Sequence, residues 1–334
     1  VSNIIFLVSK EIFLADFPIF DLEMYFKSTR SKKKEISKGV DNICRNSGFL
    51  AIKNHGVKKS TIQDVWKAAE TFFLLSNSEK NEAKAPYDGY PYGYLGPGKE
   101  ALAASKGIDT PPDLKESFNG GPLFKPDNIL DPDALAFCYA KTIWPSFPTD
   151  FKSSWTAYYQ EMEVLASKIM QVFASALDLE EAYFEPYINQ PISALRALNY
   201  PAQKELPKKN QLRAGAHSDY GSLTILLPEE NSVGLEILMP NGEWQLVPAI
   251  PNTFIINIGD LMATWTNDRW VSTLHRVVNK GTADKRQSLA YFHQPNWDAE
   301  IRCLPCCLLD GEEPKYPATR SGPYLMKKFK STNL

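Results

Sequence analysis

The stretch HSDYGSLTILLP, residues 217–228, sets a histidine and an aspartate one residue apart at the head of an apolar run. The chain has 334 residues and only 4 histidines, so a histidine placed there calls for a reason. On an extended chain, residues i and i+2 share a face, so His217 and Asp219 can point at one spot, where a metal could sit. The next histidine, His275, lies in VSTLHRVV (271–278), where Val271, Thr273, His275 and Val277 alternate onto one pleat face of a different strand. If that strand lies across from the first in a barrel, two imidazoles and one carboxylate converge. Such a set takes one face of an octahedral metal and leaves the opposite face open, as non-haem Fe(II) oxygen chemistry requires. One carboxylate also leaves a divalent ion partly uncompensated and able to attract an anionic cosubstrate.

The later run RQSLAYF (286–292) puts Arg286, Ser288 and Phe292 on one face of a strand. A fixed guanidinium beside a hydroxyl is a fork for a carboxylate. Open metal positions next to such a fork call for a ligand with one chelating end and one acidic end. The compound 2-oxoglutarate has both.

Composition narrows the setting. Hydrophobic residues make up 43%, aromatics 12% and charged residues 23%, enough for a sizeable core in a single large domain. With 37 basic and 39 acidic side chains the formal net charge is -2, so no global field gathers nucleic acid or anionic membrane. A small-molecule partner is expected, and a monomer. Five cysteines, an odd number, argue against a disulfide framework and for a reducing compartment, with the cytoplasm as the default. Cys303, Cys306 and Cys307 lack a fourth ligand nearby and read as free thiols rather than zinc ligands. The N-terminal IIFLV (4–8) is too short for a signal-peptide core, and no apolar run is long enough to span a bilayer.

Along the chain, about 1–180 reads as a helix-rich part with active-site loops, about 190–295 as a strand-rich catalytic core and 296–334 as a C-terminal segment. In KKSTIQDVWKAAETFFLL (58–75), Ser60 and Gln63 have capping-box spacing and Ile62, Trp66, Ala69 and Phe73 form an apolar face. From Phe151 to Leu177 a longer helix carries Trp155, Tyr158, Met162, Leu165, Ile169 and Phe173 on one stripe, which reads as core packing. Between them, PYDGYPYGYLGPGKE (86–100) and GIDTPPDLKESFNGGPL (107–123) hold too much proline and glycine for regular structure and read as functional loops. After Pro191, seven short runs punctuated by turns imply a barrel or two-sheet roll: SALRALNY, SLTILL, GLEIL, EWQLVP, TFIINI, VSTLHRVV and RQSLAYF. PNGEW (240–244) supplies a turn between two of them.

The ordered set His217, Asp219, His275, Arg286 and Ser288 resembles the 2-oxoglutarate- and Fe(II)-dependent dioxygenases, in the isopenicillin N synthase-like branch. SGFLAIKNHGV (47–57), PPDLKESF (111–118), INIGDLMATWTND (256–268), STLHRVV (272–278) and YFHQPN (291–296) are similar to that family's blocks, so the likeness spans about residues 40 to 325. Among its members, LRALNYP (195–201), RAGAHSDYGSLTIL (213–226) and SGPYL (321–325) resemble the fungal thymine hydroxylases.

The resemblance implies a mainly β protein with flanking α-helices around a double-stranded β-helix, or jelly roll. It implies Fe(II) on His217, Asp219 and His275, with 2-oxoglutarate held by Arg286, Ser288 and Tyr200. It also implies O2-driven oxidation of an unactivated C–H bond of a small polar substrate, with succinate and CO2 as co-products. The product could be hydroxylated, desaturated or cyclised. Many relatives carry asparagine two residues before the tyrosine; here Leu198 stands in that place. Arg196, on the face of Tyr200, is expected to place a permanent cation near the oxoglutarate pocket and to bind the substrate, a small molecule carrying a carboxylate, such as an amino-acid-derived acid, or a flat amide-rich ring such as thymine. By resemblance Tyr220 and Phe292 line the substrate pocket. The loop with Tyr90, Tyr92 and Tyr94 is expected to close over it, with Tyr94 touching substrate. His55 and His293 read as structural. Two other readings stand beside this one: an oxidase of the isopenicillin N synthase kind that needs no 2-oxoglutarate, and a non-catalytic metal-containing jelly roll that only binds a ligand.

Overall fold

The computed structural model describes residues 17–108, 110–202, 211–279, 285–309 and 311–330; IIFLV (4–8) lies outside them. Twelve strands form two main sheets: β1 (Ile19–Asp21), β2 (Phe49–Lys53), β3 (Gly93–Leu95), β4 (Glu116–Gly120), β5 (Ala194–Tyr200), β6 (Ala214–His217), β7 (Leu223–Pro228), β8 (Leu235–Leu238), β9 (Trp244–Leu246), β10 (Phe254–Ile258), β11 (His275–Val277) and β12 (Arg286–His293). The larger sheet has the order β1-β2-β10-β7-β12-β5-β4-β3 and the smaller β6-β11-β8-β9. A separate ribbon pairs β13 (Glu300–Ile301) with β14 (Thr319–Arg320). The long strands are rich in Leu, Ile and Ala, and alternation along them separates two environments.

The alternation is sharpest in the antiparallel pair β5 and β12. Leu195, Ala197, Leu289 and Tyr291 face the main core, where the helix Phe151–Ala176 packs on the sheet and Tyr159 meets the Tyr291 ring edge-on at 5.2 Å. Each buried large apolar side chain on that helix contributes on the order of 2 kcal/mol, and the predicted stripe Trp155, Tyr158, Met162, Leu165, Ile169 and Phe173 is buried throughout. The opposite face of the strands, Arg196, Leu198 and Tyr200 with Arg286, Ser288, Ala290 and Phe292, lines a cavity that residues of the smaller sheet also line.

Several expectations are corrected. The helix after residue 58 runs Lys59–Phe73 with Lys58 at its N-cap and no side-chain cap, so Ser60 is inside the helix and makes no capping box. The first half is less helical than its composition suggests, because β1 to β4 join the larger sheet, and β3 and β4 arise within the two proline- and glycine-rich loops. Pairing with β5 supplies the backbone partners that local propensity could not foretell. The strand β6 is not among the predicted runs, since Ala, Gly, Ala and His carry little strand signal. PNGEW does connect paired strands, β8 and β9, with Gly242 at φ 85° in the turn. All five cysteines are free thiols. Among the described residues no helix is long and apolar enough to cross a membrane.

Candidate active site

The pair His217 and Asp219 is brought together differently from the expectation. His217 ends β6, whereas Asp219 lies beyond the strand, in the connection to β7, so a turn and not a pleat aims the carboxylate. The turn is tight. A Cβ at Gly221 would stand 2.2 Å from the His293 carbonyl oxygen, which only glycine avoids. His275 also comes from a different direction. Its strand β11 is the immediate neighbour of β6, with His275 directly opposite His217, instead of facing it across a barrel. Residues 271–274 precede the strand, so Val271 and Thr273 share no pleat face with it.

The three side chains converge. Asp219 Oδ1 lies 3.9 Å from His217 Nε2 and 3.7 Å from His275 Nε2, and the imidazole centroids are 4.3 Å apart. One ligand atom from each falls within 4.8 Å of the others, the one such His/Cys/Asp/Glu group found among the described residues. The backbone sets the tautomers. His217 Nδ1 lies 2.7 Å from the Gly215 carbonyl and His275 Nδ1 3.1 Å from that of Thr273. A carbonyl oxygen only accepts, so each Nδ1 carries the proton and each Nε2 presents a lone pair to the shared point. Burial, with the adjacent His275, holds His217 well below its usual pKa and thus neutral. Burial alone would raise the Asp219 carboxyl, but the two imidazoles and the hydrogen bonds from Asn257 and Thr224 bring it below the usual carboxylate value. Two imidazoles that turn Nε2 toward one point, with one carboxylate, suit Fe(II) in number and ligand type.

The central strand pair of the larger sheet continues the site. In the β5–β12 register Tyr200 opposes Arg286 and Leu198 opposes Ser288, while Arg196 opposes Ala290 and Ala194 opposes Phe292. One end of this face therefore holds the predicted carboxylate fork. Arg286 is 4% exposed; its guanidinium carbon sits 5.1 Å from the Tyr200 ring centroid and its Nε donates to Ser232 Oγ at 3.3 Å. Its Nη1 is buried with no hydrogen-bond partner among the described residues. An unpaired buried guanidinium nitrogen is costly, and a carboxylate is its natural partner. Leu198, two residues before Tyr200, gives the cavity an apolar wall there.

The other end holds Arg196, Tyr220 and Phe292, all lining the cavity. Arg196 is not a lone cation. Its Nη1 lies 3.0 Å from Glu100 Oε1, and Lys115 Nζ lies 3.3 Å from Glu100 Oε2. Burial opposes charge on Glu100, yet Arg196 and Lys115 pull its pKa down to about 2. The Phe292 ring centroid lies 5.9 Å from the Arg196 guanidinium. Tyr94 does not reach the cavity. It is buried in the main core, its hydroxyl donating to Glu116 and its ring against Phe72. Tyr92 takes the cavity-lining place, with its hydroxyl 2.7 Å from the Cys138 carbonyl, while Tyr90 is held to the Lys141 carbonyl.

Sequence reasoning missed Asn119, Gln294 and Glu100, and it missed Leu325 and Phe329 of the C-terminal helix Ser321–Lys330; all line the cavity. Asn119 could have been found from the strand pairing alone, since it opposes Arg196 across β4 and β5. The helix is latched by Tyr324 and Lys328, which bond Asp260 at 3.2 and 3.1 Å, and the Asp260 amide bonds the Asp219 carbonyl at 2.8 Å. His293 and His55 are structural. His293 Nδ1 lies 2.6 Å from Ser222 Oγ, and His55 Nδ1 accepts from the Val57 amide while its ring packs on Phe254.

Comparison with known proteins agrees with this geometry. Residues 191–295 match the 2OG-Fe(II) oxygenase superfamily, and residues 17–146 match the N-terminal region of the non-haem dioxygenases in morphine synthesis. The chain is 32% identical over 306 residues to a 2-oxoglutarate-Fe(II) type oxidoreductase of Emericella nidulans, covering 90% of this chain and 85% of the relative. It is 31% identical to a homoarginine-6-hydroxylase of Oryza sativa, covering 86% and 87% respectively. The thymine hydroxylase of Neurospora crassa, solved in complex with alpha-KG and thymine, superposes with a TM-score of 0.82 at 29% identity, covering 94% of this chain and 96% of that one. With the His217–Asp219–His275 cluster in one cavity with the buried Arg286, these likenesses establish that the chain belongs to the 2-oxoglutarate- and Fe(II)-dependent oxygenases and is a dioxygenase of that superfamily.

Proposed function

We propose that the described residues form one oxygenase domain whose two main sheets are the halves of a jelly roll, and that it oxidises an unactivated C–H bond of a small polar substrate. In this reading His217, Asp219 and His275 hold Fe(II), and Arg286, Ser288 and Tyr200 receive the far carboxylate of 2-oxoglutarate. The bound iron and cosubstrate supply the oxidation of the C–H bond by O2, with succinate and CO2 as co-products.

The chain's own contribution is placement. Backbone carbonyls fix both imidazoles as Nε2 donors, and Asn257 and Thr224 hold Asp219 Oδ2 so that Oδ1 faces the histidines. Arg286 sets the depth at which the cosubstrate sits, and Leu198 offers it no polar alternative on the facing strand. The apolar lining around these groups, including Phe49, Leu226, Leu235 and Val277, excludes water from the reacting centre.

At the substrate end, Arg196 and Glu100 present a compensated pair, and Asn119 Oδ1 and Gln294 Oε1 have no hydrogen-bond partner among the described residues. A compensated pair attracts a free carboxylate weakly. This supports a flat, amide-rich molecule with adjacent donors and acceptors over a simple acid, and among the relatives the Neurospora crassa thymine hydroxylase was solved with thymine. The observation that carries the reading as a whole is the buried Arg286 Nη1, without a hydrogen-bond partner among the described residues, in the same cavity as His217, Asp219 and His275.

The test is to screen pyrimidines, lactams and amino-acid-derived acids for stimulation of 2-oxoglutarate conversion to succinate by the Fe(II)-loaded protein. Stimulation by an amide-ring compound with a matching oxidised product supports the reading. Substrate oxidation and O2 uptake without succinate would replace it by the oxidase reading, and ligand binding without O2 uptake by the binding-protein reading.

A further inference from the structure

The motif PPDLKESF buries three charged residues, Asp113, Lys115 and Glu116, and the metal-site reading leaves the first two without a task. Asp113 and Lys115 are each 3% exposed. Asp113 Oδ2 accepts from Lys115 Nζ at 2.7 Å and from the Leu102 amide at 3.2 Å, while its Oδ1 accepts from the Gly215 amide at 2.9 Å. Gly215 is the residue whose carbonyl takes the Nδ1 proton of His217 at 2.7 Å. One residue thus has its N–H held by Asp113 and its C=O holding a metal-binding imidazole.

The surrounding contacts make this arrangement a built one. The Asp113 amide bonds the Glu100 carbonyl at 2.9 Å, and the Leu114 amide bonds the Leu212 carbonyl at 3.1 Å. The 3-10 turn Leu102–Lys106 lies against β6 so closely that a Cβ on Gly215 would stand 2.9 Å from the Ala103 amide nitrogen. Lys106 Nζ donates to Ser218 Oγ at 2.7 Å, between the two ligands His217 and Asp219. Charge closes as well, since the two anions Asp113 and Glu100 face the two cations Lys115 and Arg196. Burial opposes the Lys115 charge, but Glu100 and Asp113 outweigh it and raise its pKa, so Lys115 stays charged.

We infer that Asp113 is a positioning residue for the metal centre: its carboxylate fixes the Gly215 peptide and thereby the orientation of the His217 imidazole. The inference rests on the reading of His217, Asp219 and His275 as metal ligands. A short polar side chain that accepts from the Gly215 amide suffices for this task, while the negative charge serves Lys115. The two roles are therefore separable by substitution.

The experiment titrates Mn(II) into the metal-free full-length protein and follows free Mn(II) by electron paramagnetic resonance, without substrate or turnover. Three double or single variants are compared with the wild type. Asp113→Ala with Lys115→Met removes the ion pair and the acceptor while leaving the remaining charges balanced; Mn(II) binding weakens about 3- to 10-fold, at or below the lower end of what orienting groups around ligand imidazoles contribute. Asp113→Asn with Lys115→Met keeps an acceptor oxygen for Gly215 and restores binding to within about 2-fold of wild type, a rescue that a merely structural ion pair would not give. Asp113→Glu keeps the charge and displaces the acceptor by one methylene, and weakens binding even where the alanine double variant fails to fold. Wild-type affinity in a folded Asp113→Ala/Lys115→Met protein, or in Asp113→Glu, overturns the inference, as does equal loss in both double variants. Failure of the wild type to bind Mn(II), with His217→Ala behaving identically, instead overturns the metal reading on which it rests.

Discussion

Asn257 Nδ2 donates to Asp219 Oδ2 at 2.8 Å, and this bond, with that of Thr224 Oγ1 at 2.5 Å to the same oxygen, leaves Oδ1 as the oxygen facing both imidazoles. The carboxylate is held one-sided before any ion arrives. Asn257 itself sits on β10 between β2 and β7, where its backbone is locked by pairing on both sides. Replacing it with alanine frees one side of the Asp219 carboxylate. Metal affinity is expected to fall about 10- to 100-fold, read by Mn(II) titration; an unchanged affinity in the folded variant would show that Thr224 alone orients the carboxylate.

Arg286→Lys keeps the positive charge and loses the planar fork. Loss of a charge-assisted hydrogen bond, about 1.5 to 3 kcal/mol, predicts a rise of roughly 10- to 150-fold in the 2-oxoglutarate concentration for half-saturation. Metal binding should stay at the wild-type level, because Arg286 makes no contact with the ligand set. Calorimetric titration of the Mn(II)-loaded variant with 2-oxoglutarate decides the matter, and wild-type saturation would sink the assignment.

The salt bridge of Arg196 with Glu100 changes the experiment that tests its role. Arg196→Ala alone strands a buried carboxylate beside Lys115, so the informative variant also carries Glu100→Gln. The double variant is expected to match the wild type in 2-oxoglutarate binding and in any succinate formed without substrate, but to lose the stimulation by the true substrate. Full substrate-coupled turnover would remove Arg196 and Glu100 from the substrate site.

His293 supplies a pH dependence with a definite sign. Burial pushes its pKa down to about 4 from 6.5, so below pH 6.5 the unfolded chain takes up a proton that the folded protein refuses. Its contribution is complete above 6.5 and is lost as the pH falls toward 4. Between about pH 7.5 and about pH 5 the loss amounts to about 2 kcal/mol. Urea unfolding of the wild type and of His293→Gln at both pH values should show a smaller difference in the variant. An identical acid loss in both would mean that His293 is not the responsible group.

The extent to which the chain could be read in advance differs from residue to residue. Arg286, Ser288 and Phe292 were legible because they lie on one long regular strand, where a period of two decides the face. The buried stripe of the helix Phe151–Ala176 was legible for the corresponding helical reason. His217 and Asp219 were identified correctly as neighbours in space, but through a strand geometry that the chain does not adopt there.

By itself, the sequence determined what short-range periodicity and side-chain chemistry encode: which side chains have metal-ligating chemistry, that Arg286 and Ser288 share one face of β12, and which stripe the helix Phe151–Ala176 buries. In the helix Lys59–Phe73, by contrast, the buried residues are Val65, Ala68, Ala69, Phe72 and Phe73, and the expected Ile62 and Trp66 are only partly buried. Tertiary structure alone decided the rest. It turned Tyr94 into the core by pairing β3 with β4, gave its place to Tyr92, and neutralised Arg196 by laying Glu100, 96 residues earlier in the chain, against it. Those outcomes depend on pairings between distant segments whose backbone hydrogen bonds and buried charges must be satisfied jointly. No local pattern around Tyr94 or Arg196 carries that information, because the groups that satisfy them come from elsewhere in the chain.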